Sequence, residues 1–428
     1  MQVPATVTIS PARLSGNIKA PASKSSMQRA CAAALIKRGV SVIHKPGFSN
    51  DDKASLKAIQ DLGAIVTYNN DGSIKVDAQN SLYTSSNEIN FGESGLGIRM
   101  FTPIAALNES LIKITGEGSL LVRPMDFFDE VLPQLNVQVK SNNGKLPIEI
   151  SGGLVPTDIT IDGSLSSQFL TGLLFAFSAA NAEGVTISVK NLTSKPYIDL
   201  TLKIMHDFGL SVPGNMNYES FHFMPYAGSR RIEDNVNYTV EGDWSGGAFL
   251  LVAGAVAGEV SVEGLDAFSV QADKQILEAL MDAGCSMSVR ENMIEVSNRA
   301  PLKAFQFNAT DCPDLFPPLV ALAAFCKGKS VIEGVHRLAH KESDRAKTLM
   351  EEFAKIGVNI NLQGNYMIVE GVEKVKSAVV HSHNDHRIAM ACAIAALRAD
   401  GNVIIENADA VKKSYPGFYK DLDSLRAS

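Results

Sequence analysis

Asn384-Asp-His-Arg-Ile-Ala-Met-Ala-Cys-Ala-Ile-Ala-Ala-Leu397 joins a short polar phrase to an apolar run with no polar face. A helix apolar all round is buried on all sides. Similar runs recur at Ala30-Cys-Ala-Ala-Ala-Leu-Ile36, Leu170-Thr-Gly-Leu-Leu-Phe-Ala-Phe177 and Leu319-Val-Ala-Leu-Ala-Ala-Phe325. Polar phrases introduce the buried helices throughout: Ser23-Lys-Ser-Ser-Met-Gln-Arg29, Glu93-Ser-Gly-Leu-Gly-Ile-Arg99, Ser164-Leu-Ser-Ser-Gln168, Asp243-Trp-Ser-Gly-Gly247 and Asp311-Cys-Pro-Asp314. β-Branched strands start near Val40, Leu111, Val185, Val260, Val331 and Val403, each followed by a polar helix and a second strand. The spacing, roughly seventy to seventy-five residues, exceeds solenoid periods, so each copy is a full βα layer.

The sixth copy stops after the helix around Tyr415–Leu425, short of a strand, while the N-terminus opens on an orphan strand, Thr6-Val-Thr-Ile9. The N-terminal strand is therefore expected to complete the last unit. Two domains follow: residues 1–22 with 242–428 carry units four to six, and 23–241 carry units one to three. The length of 428 residues agrees with two cores. Both chain crossings, near Ala20–Ser23 and Glu241–Asp243, lie beside polar helix starts, which places the expected active site in the interdomain cleft.

Hydrophobic residues make up 45% and charged residues 20% of the chain, an ordinary globular balance. The net charge of −7 argues against nucleic acid as a partner. The apolar helices have about half the ~20 residues that a membrane span needs, and no signal peptide is recognisable. Five scattered cysteines read as reduced core thiols of a cytoplasmic protein.

Helix N-termini offer free N–H groups and partial positive charge to anions. Ser, Asp and Asn at such ends are also ordinary caps, which accounts for Asp243 and Ser245. Capping does not account for Lys24, Arg29, Arg99 and Arg387, since cations oppose the helix dipole there; a multiply anionic small molecule would offset them. Further cations stand in Thr115-Gly-Glu-Gly-Ser-Leu-Leu-Val-Arg-Pro124, where Arg123 precedes a Pro expected to open a helix. Others are Lys341 and Arg345 in His340-Lys-Glu-Ser-Asp-Arg345, expected on the first turn of a helix, and Lys413. Arginine grips two oxygens with a planar fork, and lysine acts as a mobile point charge. Asp314 and Glu342 are the acids within this basic surround and the candidates for proton transfer. A metal on His381, His383 and His386 is disfavoured by the basic surround. Cys312 lacks a paired histidine, and neither a phosphate-loop nor a dinucleotide fingerprint is found.

Together, Pro21-Ala-Ser-Lys-Ser25 with Arg29, Asp162-Gly-Ser-Leu-Ser-Ser-Gln-Phe-Leu170, Ser194-Lys-Pro-Tyr-Ile-Asp199, Val240-Glu-Gly-Asp243, Lys341-Glu-Ser-Asp-Arg345 and Asn384-Asp-His-Arg387 resemble the enolpyruvyl transferases. Within that family the phrases are most similar to the branch acting on shikimate 3-phosphate. The resemblance implies an α/β fold of two inside-out, barrel-like domains, each of three βαβαββ-type units with buried apolar helices. It implies that Lys24, Ser25, Arg29, Ser166, Ser167, Gln168, Ser194, Tyr197, Asp314 and Lys341 hold shikimate 3-phosphate. Phosphoenolpyruvate would meet Lys24, Gly95, Arg123, Gln168, Arg345, His386, Arg387 and Lys413. Asp314 would accept the proton of the 5-hydroxyl, and Glu342, assisted by Lys24, would protonate phosphoenolpyruvate. The implied chemistry needs no metal or organic cofactor, and a monomer working on small anions is expected.

The chain departs from the family where Glu93-Ser-Gly-Leu96 replaces an Asn-[Ala/Ser]-Gly-Thr phrase, and where His336 or Arg337 stands near a frequent Asn. Leu96 either nudges Gly95 toward the pocket that glyphosate shares with phosphoenolpyruvate, or is held in place by its neighbours. A family branch acting on UDP-N-acetylglucosamine is the nearer rival, but its cysteine before the loop Arg-Pro is absent here. A noncatalytic phosphate-ligand binder on the same scaffold is the other rival; it would need neither Asp314 nor Glu342.

Overall fold

The computed structural model describes residues 5–82, 86–225 and 235–427. They form two compact units, Met1–Ser23 with Glu241–Ser428, and Lys24–Val240.

In the Lys24–Val240 unit, Val40–His44 lies parallel to Asn235–Thr239 and antiparallel to Ile74–Asp77, which pairs with Ile65–Tyr68. The same order recurs in Glu88–Asn90, Ile112–Thr115, Ile148–Ser151 and Gln138–Ser141. It recurs again in Ile159–Asp162, Val185–Lys190, Ser220–Phe223 and Gly214–Met216. Strand alternation explains the orientation: in Ile159–Asp162 the isoleucines are buried while Thr160 and Asp162 face outward, as a period of two requires. The apolar helices Lys24–Lys37, Gly95–Ala105 and Ser167–Ala179 pack against one another inside these sheets.

The other unit repeats the plan. Leu14–Lys19 pairs in parallel with Gly258–Glu263, followed by Met293–Ser297 and Ser286–Arg290. Gln306–Asn308, Lys329–Glu333, Tyr366–Glu370 and Asn359–Gln363 form the next sheet. In the third, Val379–His381 lies parallel to Val403–Glu406, and the N-terminal strand Val7–Ile9 takes the antiparallel place, Val7 opposite Ile405 and Ile9 opposite Val403. The buried helices here are Trp244–Ala257, Phe316–Ala323 and His386–Ala396, again in mutual contact. Buried helices within sheets in each unit are the inside-out α/β arrangement that the resemblance implies. Ser23 and Glu241 both belong to this unit: Ser23 N–H donates to the Glu241 carbonyl at 2.8 Å, and Ser269 Oγ donates to the Glu241 carboxylate at 2.7 Å.

Two local expectations fail. Lys341 and Glu342 do not lie on a helix, because Asp344 caps one that begins only at Arg345, accepting from Lys347 N–H. Pro124 does not open a helix either: Arg123 ends the 3₁₀ turn Gly118–Val122, and the next helix starts at Phe127. Among the described residues, no helix is long and apolar enough to cross a membrane.

Candidate active site

In the Lys24–Val240 unit most candidate residues stand at the starts of the three buried helices, while Ser194 and Tyr197 belong to the start of Lys195–Asp207 and Arg123 follows the turn Gly118–Val122. Lys24 opens its helix and pairs with Asp51 at 2.9 Å, so the charge set against the dipole already has a protein partner. Asp51 and Asp52 occupy the first turn of Asn50–Asp61, after the cap Ser49. Arg29 is 1% exposed and donates to Thr201 Oγ1 at 2.9 Å, the Ser25 carbonyl at 2.9 Å and the Tyr197 carbonyl at 3.3 Å. Burial lowers its pKa to about 10, which leaves it cationic at neutral pH. Arg29 thereby ties Ser25 to Tyr197, two residues 172 positions apart in sequence. Ser166 caps Ser167–Ala179 through Gln168 N–H at 3.2 Å, and the Gln168 side-chain Oε1 accepts from Arg99 Nη1 at 3.0 Å. Ser194 is buried with φ +57°, at the head of Lys195–Asp207.

Gly95 is the first residue of its helix, and Arg123 lies directly over it: a Cβ there would meet Arg123 Nη1 at 2.5 Å. The helix start is anchored by Ser94, whose Oγ accepts from Gly97 N–H and donates to Gln28 Oε1 at 2.9 Å. Leu96 is buried at 7% exposure.

In the other unit one carboxylate gathers three cations. Asp314 accepts from Arg345 Nη1 at 2.7 Å, Arg387 Nη2 at 3.0 Å and Lys341 Nζ at 3.3 Å. Burial alone would raise the Asp314 carboxyl, but Arg387, Lys341 and Arg345 outweigh it and hold it well below the usual carboxylate range. Burial lowers the Lys341 pKa, against the pull of Asp314. Arg345 also binds Glu342 and forks onto Asp385, with Nε 2.8 Å from Oδ2. Asp385 caps His386–Ala396 through Arg387 N–H at 3.0 Å and so joins the cation cluster to the helix start. Lys413 donates to the Asn384 carbonyl at 2.6 Å. The His386 side chain is 1% exposed and sits at the first helical position.

The remaining suggestions separate from this cluster. His383 bonds Glu352 at 2.6 Å, and Lys355 takes both Glu352 oxygens; this histidine is a structural partner of a buried acid. Burial pushes the Cys312 thiol far up, away from nucleophilic use. His336 is exposed and engages Asn365. Asp385, Asp51 and Thr201 are the positioning residues that sequence reasoning passed over. Asp385 stood within the quoted Asn384-Asp-His-Arg387 phrase and was legible there, whereas Thr201 carried no signal.

A family model described as EPSP synthase (3-phosphoshikimate 1-carboxyvinyltransferase) matches residues 9–422. The 3-phosphoshikimate 1-carboxyvinyltransferase of Clostridium kluyveri is 36% identical over 419 residues, covering 98% of this chain and 97% of the relative. The like-named protein of Clostridioides difficile is 35% identical over 430 residues, covering 98% and 97%. In fold, the chain is similar to the EPSP synthase structure from Acinetobacter baumannii, with TM-score 0.80 at 23% identity and 98% of each chain covered. An enolpyruvyl transferase from Streptomyces tendae gives TM-score 0.78 at 17% identity, covering 100% of this chain and 98% of that one. With a match that runs through every unit of the repeat, the chain belongs to the EPSP synthase family.

Proposed function

We propose that the chain transfers the enolpyruvyl group of phosphoenolpyruvate to the 5-hydroxyl of shikimate 3-phosphate, releasing inorganic phosphate, the shikimate-pathway step toward aromatic amino acids. One observation carries the catalytic reading. A surface built only to bind anions gains nothing by committing Lys341, Arg345 and Arg387 to one carboxylate, whereas a proton acceptor held among substrate-binding cations needs that arrangement.

Asp314 takes the proton of the 5-hydroxyl, and the freed oxygen attacks C2 of phosphoenolpyruvate. Glu342, with Lys24, delivers a proton to C3, giving a tetrahedral adduct that still carries phosphate. The C–O bond to phosphate then breaks and C3 returns a proton, which restores the double bond. In the ligand-free protein Asp314 is a weak base because three cations stabilise its charge. Substrate phosphate and carboxylate draw on the same cations, raising the basicity of Asp314 when both substrates are present. Fixed cations meet developing charge without reorganisation, which is where most of the acceleration arises.

Lys24, Ser25, Arg29, Ser166, Ser167, Gln168, Ser194, Tyr197 and Lys341 hold shikimate 3-phosphate. Gly95, Arg123, Arg345, His386, Arg387 and Lys413 hold phosphoenolpyruvate, with Lys24 and Gln168 shared. The protein works as a cytoplasmic monomer; five free thiols suit a reducing compartment. Phosphate release tests the reading: it should require phosphoenolpyruvate and shikimate 3-phosphate together. Release with UDP-N-acetylglucosamine instead assigns the other branch, and no release with either acceptor leaves a binding protein.

A further inference from the structure

An acid beside a pocket for an anion is repulsive unless the carboxylate is engaged elsewhere. Glu93 is such an acid, two residues before Gly95, and its carboxylate is turned to the backbone of a neighbouring turn. Glu93 Oε2 accepts from Ser119 N–H at 3.2 Å. The turn, Gly118–Val122, ends at Arg123. It has little packing of its own: Leu121 and Val122 are 49% and 70% exposed, and Leu120 alone of its aliphatics is buried.

Anchors therefore decide where the turn sits. Glu117 N–H donates to the Gly92 carbonyl at 2.6 Å, and Glu93 supplies the next tie at Ser119, two residues further toward Arg123. Gly118 is stacked on the Glu93 side chain. Its φ is +53°, and a Cβ there would meet Glu93 Oε2 at 2.3 Å and Cδ at 2.4 Å. The acid thus fixes the height of the turn that Arg123 follows, and Arg123 lays its guanidinium over Gly95.

We infer that Glu93 is a positioning residue for Arg123, tethering the 118–122 turn through Ser119 N–H so that the guanidinium is set for the anionic end of phosphoenolpyruvate. The inference rests on the proposed function for what Arg123 binds, and on geometry alone for the tether.

Glu93→Ala, Glu93→Gln and Gly118→Ala test it, with two readouts on each. A hydrogen bond from a charged group contributes enough to change an equilibrium roughly tenfold or more. Glu93→Ala should raise the phosphoenolpyruvate KM about tenfold, with kcat and the shikimate 3-phosphate KM within about twofold of wild type. It should also speed amide exchange at Ser119. Glu93→Gln, which keeps an acceptor oxygen, should restore both readouts, and Gly118→Ala, which displaces the carboxylate, should raise the same KM. Unchanged Ser119 exchange in Glu93→Ala overturns the tether. Faster exchange with an unchanged phosphoenolpyruvate KM overturns the positioning, as does equal damage by Gln and Ala. A wild-type protein inactive on phosphoenolpyruvate defeats the functional reading, whereas the exchange arm still decides the tether.

Discussion

Arg345→Gln removes the cation shared by Asp385, Asp314 and Glu342. The Arg345 side chain is 1% exposed and that of Asp385 0%, so water cannot replace the lost contacts. Ser343 Oγ and Arg387 N–H remain on Asp385, but neither carries a compensating charge on the bonded atom. Breaking one side of a buried ion pair costs about 3–5 kcal/mol. For a unit of about two hundred residues, each kcal/mol moves the midpoint by roughly 2–4 °C, so the transition of this unit should fall by roughly 6–20 °C. The pH dependence has a definite sign. The folded Asp314 carboxyl lies below its unfolded value of 3.8, so its pairing contributes fully above that value and is lost as pH falls through the folded one. The deficit of the variant should be complete at pH 7 and shrink below about pH 4. Calorimetry of wild type, Arg345→Gln and Arg345→Lys across that range is the assay, with lysine intermediate because it keeps charge and loses the fork. A midpoint shift under about 2 °C at pH 7, or a deficit that widens in acid, refutes the reasoning.

Three further outcomes are expected. Asp314→Asn and Glu342→Gln should each lower kcat by about 10²–10⁴-fold while shikimate 3-phosphate binding, followed by titration calorimetry, stays within about tenfold; near-native turnover in either variant removes that residue from proton transfer. Burial raises the Asp52 carboxyl to about 7 although Ser49 hydrogen-bonds it, so the folded state holds a proton that the unfolded state has lost, and stability falls as pH rises from the unfolded value toward 7. Asp52→Asn, which mimics the protonated acid, should therefore gain on wild type between pH 5 and pH 8 in thermal melts; a constant difference contradicts that. Deleting the residues before Ser10 removes the antiparallel partner of Val403–Glu406 and should accelerate amide exchange there, with Val40–His44 unaffected; equal loss in both strands counts against a local role.

The helices and strands were legible because their patterns are extreme. Trp244–Ala257 has a single residue outside the core, and no choice of helix face could be mistaken. That Val7–Ile9 joins the last unit was readable from an orphan strand and a missing one, but its place beside Val403–Glu406 was not. Local termini were less so. Lys341-Glu-Ser-Asp344 has helical composition, yet Asp344 wins as a cap and leaves Lys341 and Glu342 in an irregular segment. That placement brings Lys341 Nζ to Asp314, 27 positions away in sequence. The cations at helix starts were read as calling for an anionic ligand. Periodicity could not show that Asp51 and Asp314 already supply part of that charge, because those contacts join separate repeat elements.

The most direct test of the account is the reaction run in heavy water, with one equivalent of each substrate and NMR of both carbon and phosphorus. Addition followed by elimination protonates C3 and later deprotonates it. The account therefore predicts one inorganic phosphate per enolpyruvyl ether formed, with solvent deuterium in the vinyl group and no phosphate when shikimate 3-phosphate is left out. An unlabelled vinyl group, or phosphate released from phosphoenolpyruvate alone, would contradict it.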